Sequence, residues 1–190
     1  NLAWDNINNI LSALNLLTDK ISFNLTAGLT PSEGELSWNE DDGTLNLGLP
    51  GGNVVLQLGE ELLAPRSKAV GSNIGNGKLV YVSGATGVVP EMTLAKADAS
   101  STSNGTIAMA TEDITQNQLG YYTTFGLVRD VNTDPGTYAV GDILYLSAAT
   151  AGEYTNVKPG LENYIIKVGI VIRAHATEGV ILAKIVQRSN

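Results

Sequence analysis

Leu36-Ser37-Trp38-Asn39-Glu40-Asp41-Asp42-Gly43-Thr44-Leu45-Asn46-Leu47-Gly48-Leu49-Pro50-Gly51-Gly52-Asn53-Val54-Val55-Leu56-Gln57-Leu58 alternates apolar with polar residues in three short runs. A period of two marks a strand with one apolar face. The runs are separated by Asn39–Gly43 and Pro50–Asn53, both rich in turn formers, so the segment reads as a compact β-meander. Each strand offers about three apolar side chains, and three strands of this size bury too little surface to be stable alone. The meander, assigned to residues 26–66, therefore needs a partner: the rest of the chain, or copies of itself.

Toward the N-terminus, residues 1–25 read as a helix. With Ile7 at position a of a heptad, Leu14 and Ile21 also fall at a, while Ala3, Ile10, Leu17 and Asn24 fall at d. The stripe suits either an amphipathic helix packed on its own domain or a short parallel bundle between subunits. Ile at a with Ile or Leu at d is compatible with more than two strands. About three heptads are too few to hold an oligomer unaided. The meander follows directly, which favours copies of itself as its partner. The expected subunit interface is Ile7, Ile10, Leu14, Leu17, Ile21, Leu36, Trp38, Leu45, Leu47, Leu56 and Leu58.

Toward the C-terminus, residues 67–190 read as a longer all-β unit. Strands are expected at Leu79–Ser83, Thr106–Thr111, Tyr121–Arg129, Ile143–Ser147, Tyr164–Ala174 and Val180–Val186. Glycine-rich turns such as Thr86-Gly87, Asp134-Pro135-Gly136 and Glu178-Gly179 punctuate them, the pattern of a small barrel or sandwich. Arg66–Asn76 reads as a connection, and a short helix is expected around Ala95–Ala99.

Composition narrows the function. Charged residues are 16% of the chain, below the usual 25% or so, and small polar residues replace them, as in turn-rich β proteins. The net charge of −8 and the scattered 11 Lys and Arg argue against nucleic acid, whose phosphates need clustered cations. Apolar stretches such as Tyr164–Ala174 are interrupted by Lys167 and Arg173 and are too short to span a bilayer. There is no cysteine, so thiol chemistry is excluded. The single His175 has no cysteine or evident triad partner to make a zinc or nucleophile site. Asp130, Asn132 and Asp134 have the oxygen spacing of a calcium loop, but Pro135 and Gly141 stand where a glycine and a carboxylate are required. Glu40–Asp42 is a solvated turn. Tyr121-Tyr122, at a strand start, reads as core plus rim, and is the one aromatic pair that offers a receptor contact as the alternative.

The run Gly34–Leu45, continued by Leu49–Glu61, resembles a family of tailed-phage virion proteins known as head fibres, tail fibres or structural proteins. Asn76–Tyr81 and Gly141–Ser147 are similar to the same group, so that the resemblance covers most of Gly34–Ser147. It implies a homotrimer with a helical stem, an intertwined β segment and a C-terminal barrel, and it brings no catalytic residue. The resulting expectation is a mainly β chain: a short coiled-coil-like helix, an intertwined meander and a small barrel or sandwich. The expected role is non-enzymatic: a homotrimeric head fibre or capsid decoration protein on the virion surface, bound to the major capsid protein or another virion protein. A tail fibre or carbohydrate-binding receptor module, touching a host-surface glycan, is the alternative, and a glycan hydrolase a distant one. No cofactor, metal, nucleic acid or membrane is expected as a partner.

Overall fold

A computed structural model describes residues 21–23, 25 and 28–186. The expected stem residues Ile7, Ile10, Leu14 and Leu17 lie outside them. Ile21 is described, and the helix expected to run to residue 25 does not include Ile21-Ser22-Phe23, which are only middling helix formers.

The meander forms where it is expected. Strands β1 (Leu36–Asn39), β2 (Thr44–Gly48) and β3 (Val55–Leu58) make a three-stranded antiparallel sheet in chain order. The first turn is built by Asn39, whose Oδ1 accepts the backbone N–H groups of Asp41 and Asp42 at 3.1 and 3.2 Å. The second uses Gly51 and Gly52, whose consecutive positive φ angles of 100° and 74° are open to glycine with little strain.

The other eleven strands form one sheet. They are β4 (Leu62–Leu63), β5 (Ser67–Ala69), β6 (Leu79–Thr86), β7 (Val89–Leu94), β8 (Thr106–Ala110), β9 (Leu119–Gly120), β10 (Tyr122–Val131), β11 (Ile143–Leu146), β12 (Tyr154–Thr155), β13 (Lys167–Arg173) and β14 (Gly179–Val186). Their order is β12-β11-β13-β14-β10-β8-β6-β7-β5-β9, with only β5–β7 parallel among the pairs. β10 is the hinge of this arrangement. It pairs with β8 through Tyr122 and Thr123, and with β14 from Phe125 onward. Phe125 pairs with both Leu62 and Lys184, which puts β4 and β14 on opposite edges of β10.

Two cores lie against this sheet, and the start of β6, Leu79-Val80, is buried between them. Leu79 enters one cluster with Met109, Val128, Leu144, Val171 and Ile181. Val80, on the opposite face of the pleat, enters the other with Met92, Ile74, Ala108 and Tyr122. The closed barrel that was one expectation does not form, because the strand path ends at β12 and β9. A barrel needs a ladder that returns to its first strand, and these end strands are two residues each.

Two further expectations are corrected. Ala95–Ala99 is not helical, since the chain leaves β7 and turns at Ala97-Asp98, and the only described helix is the single turn α1 at Ser100–Ser103. Ala95 and Ala97 are wholly buried while Asp98 pairs with Lys96 at the surface, a period of two that overrides alanine's helix propensity. Arg66–Asn76 is more than a connection: it contains β5, and Ile74 bridges Ile114. Among the described residues no helix is long and apolar enough to cross a membrane.

Candidate functional site

The register of the meander sorts its side chains into two faces. Leu36, Leu47 and Leu56 form one cross-strand row, and Trp38, Leu45 and Leu58 the next. Ser37, Asn46 and Gln57 form the central row of the opposite face. Apolar side chains normally face inward, yet the meander does the reverse. Thr44, Asn46 and Gln57 are buried, whereas Leu36 is 51% and Leu58 39% exposed. Trp38, Leu45, Leu47 and Leu56 between them are half-buried.

The inward polar face is fastened to the large sheet through one arginine. Arg129 of β10 donates from Nη2 to Gln57 Oε1 at 3.1 Å and lies 3.7 Å from Asp42 and 3.8 Å from Glu61. Gln57 in turn donates from Nε2 to Asp42, and its backbone N–H donates to Glu61 Oε2. The Glu61 carboxyl pKa is raised, chiefly by burial, against the opposing pull of the Gln57 N–H and the Arg129 charge. Gly126 of β10 leaves room for this carboxyl: a Cβ there would come within 2.7 Å of Glu61 Cγ. The leucine face is therefore held pointing away from its own sheet.

Tyr121 and Tyr122 are not displayed. Tyr122 is wholly buried in the second core, and burial pushes its phenol pKa up. Tyr121 is buried too, with the Arg66 guanidinium carbon 5.2 Å from its ring centre. His175 serves the turn that follows it, its Nδ1 accepting the N–H groups of Thr177 and Glu178 at 3.2 and 2.9 Å. Asn132 and Asp134 also cap turns, accepting the N–H groups of Asp134 and Gly136. Among the described residues no group of three or more His, Cys, Asp or Glu is placed to hold a metal ion.

Sequence reasoning missed one polar cleft. It has a volume of about 350 Å³ and is lined by Asn76, Lys78, Asn132, Asp134, Tyr138, Glu153 and Tyr154, among others. Lys78 and Glu153 form an ion pair at its wall. The Tyr138 and Tyr154 rings are 5.7 Å apart, and their hydroxyls donate to the carbonyls of Tyr154 and Asn132. These residues come from three separated stretches of chain, which no local pattern links. The chain matches no protein-family model, no curated protein and no solved structure.

Proposed function

We propose that this chain is a non-enzymatic structural protein of a tailed-phage virion, a homotrimeric head fibre or capsid decoration protein on the particle surface. The observation that carries the oligomeric part is the inverted meander, with its polar face buried and its leucine face turned outward. Such a face on a small sheet is the mark of a subunit contact. The virion assignment rests on the sequence resemblance of Gly34–Ser147. In this reading the residues before Ile21 supply the helical stem, the leucine face of each meander contacts a neighbouring copy, and the large sheet is the displayed body. Its partners are other copies and the major capsid protein or another virion protein. The side chains first considered for chemistry instead cap turns, which supports a mechanical rather than a catalytic role. Sedimentation or mass photometry tests the oligomer: a stable monomer would overturn the reading. Reconstruction of the particle tests its location.

A second reading, a carbohydrate-binding receptor module on a tail fibre, is favoured by the Asn132–Tyr154 cleft. Its paired tyrosines and mixed polar groups suit hydroxyl-rich ligands. Screening on a glycan array discriminates: binding lost in Asp134→Ala but retained in Leu58→Ala supports this reading over the first.

A further inference from the structure

The large sheet carries a second outward apolar face. Ile143 of β11 is opposite Ile170 of β13, which is opposite Leu182 of β14, which is opposite Leu127 of β10. This row crosses four strands. Ile143 is 41%, Ile170 37% and Phe125 38% exposed, and Leu127 and Leu182 are half-buried. Gly169, whose Cβ would strike the Leu182 carbonyl at 2.6 Å, leaves a hollow of about 220 Å³ between Ile143, Ile170, Lys167 and Lys184. Neither lysine has an ion-pair partner among the described residues.

Charge separates the two apolar faces. Glu33 to Glu61 contains seven carboxylates and no Lys or Arg. Four of them, Glu40, Asp41, Asp42 and Glu60, are exposed at the end of the meander that holds the Trp38–Leu45–Leu58 row, Asp42 lying near Arg129. Two meander faces brought together symmetrically would set these carboxylates against one another, and two sheet faces would do the same with Lys167 and Lys184. A meander on a neighbour's sheet places opposite charges at the rim of an apolar contact, where they select the partner rather than supply affinity.

Dimensions agree with this pairing. The outer strands of the meander are about 10 Å apart, and β11, β13, β14 and β10 span about 14 Å at ordinary strand spacing. The meander cannot cover the face of its own chain, because Arg129 holds its polar side inward.

From this complementarity we infer that the leucine face of each meander docks on the Ile143–Ile170–Leu182–Leu127 face of the next copy. Trp38 and Leu58 then lie toward the hollow beside Lys167 and Lys184. The contact is head-to-tail, and such contacts close into a ring when the rotation between copies permits. The inference rests on the trimeric reading above and specifies what the leucine face packs against.

The absence of native cysteine makes the test direct. A Leu58→Cys/Ile170→Cys double variant, treated with a short bis-maleimide, should yield covalent dimer and trimer on a denaturing gel. Each single variant should stay a single chain. Cross-linking by Leu58→Cys alone would mean that meanders face one another and would overturn the docking. A trimer in which the double variant does not cross-link would also overturn it, while leaving the trimeric reading in place. Monomeric wild-type protein would remove both. As a second measurement, Lys167→Glu with Lys184→Glu should weaken assembly about tenfold at low salt. Adding Glu40→Lys with Glu60→Lys should restore it. Reversal without effect, or without rescue, would count against the docking.

Discussion

Leu47→Asp separates an assembly surface from an ordinary half-buried strand residue. Leu47 sits between Leu36 and Leu56 in the outward row of the meander. In a single chain the new carboxylate remains in contact with water, and a substitution at such a place changes stability by about 1 kcal/mol. In the proposed assembly the same group is enclosed. No Lys or Arg occurs between Glu33 and Glu61 to pair it. An unpaired charge in a dry contact costs about 3–5 kcal/mol, equivalent to a loss of about two to three and a half decades at roughly 1.4 kcal/mol per tenfold. A closed ring incurs that loss at every contact. Mass photometry, at concentrations where wild type is fully assembled, is expected to show only single chains, with a far-UV circular dichroism spectrum like that of wild type. A Leu47→Asp protein that remains trimeric with an unchanged melting curve would refute the assignment of this face. So would a monomer that has lost its sheet spectrum, because Leu47 would then be supporting its own chain.

Tyr122→Phe removes a buried hydroxyl that has no hydrogen-bond partner and is expected to stabilise the fold by about 1 kcal/mol, read as a raised melting temperature. Leu144→Ala, in the first core, should lower stability by about 2–5 kcal/mol in chemical denaturation and leave the oligomer intact while folded. Gly48→Ala would place a Cβ 2.0 Å from the Ser32 carbonyl oxygen; amide exchange should quicken in residues 31–58 and stay slow in β6 and β14. Glu61 has a folded pKa raised above its ordinary value by burial, so its charged form is the disfavoured one. The stability associated with its protonation is present at low pH and lost as pH rises through the raised pKa. Glu61→Gln should therefore melt at or above the wild-type temperature at neutral pH. That advantage should shrink as pH falls toward 4.5, the ordinary value; an advantage that grows on acidification would contradict the sign.

The period-two runs made the strands legible. β1, β2 and β3 fall on the alternating leucines, and β6, β8, β10, β11, β13 and β14 overlap the six expected ranges. What escaped had weaker local signals. β7 contains Pro90, which cannot donate to a ladder, yet Glu91, Met92 and Leu94 pair with β6. β4, β9 and β12 are two residues each and are strands only because longer neighbours hold them. The leucines of the meander were legible as one face, but not the inversion that turns them outward. That depends on Arg129 reaching Gln57 across 72 residues. Tyr121 and Tyr122 stood open between core and receptor contact, because a strand start does not reveal its neighbours; β10 enters between β8 and β4, and both are buried. The Lys78–Glu153 cleft had no signal at all, its residues meeting only after the sheet closes over the first core.

The two sheets also differ in how soon they form. Meander pairs such as Asn39–Thr44 and Gly48–Val55 lie five and seven residues apart, so this sheet has only short loops to close. β10 cannot be completed so early, since Phe125 awaits Lys184, 59 residues downstream, and pairings of such long range close slowly. A growing chain thus shows its sticky leucine surface well before its own body is finished. In the docking inferred above, the receiving face includes Leu182 of β14, which would tie the tempo of assembly to completed synthesis of a neighbour.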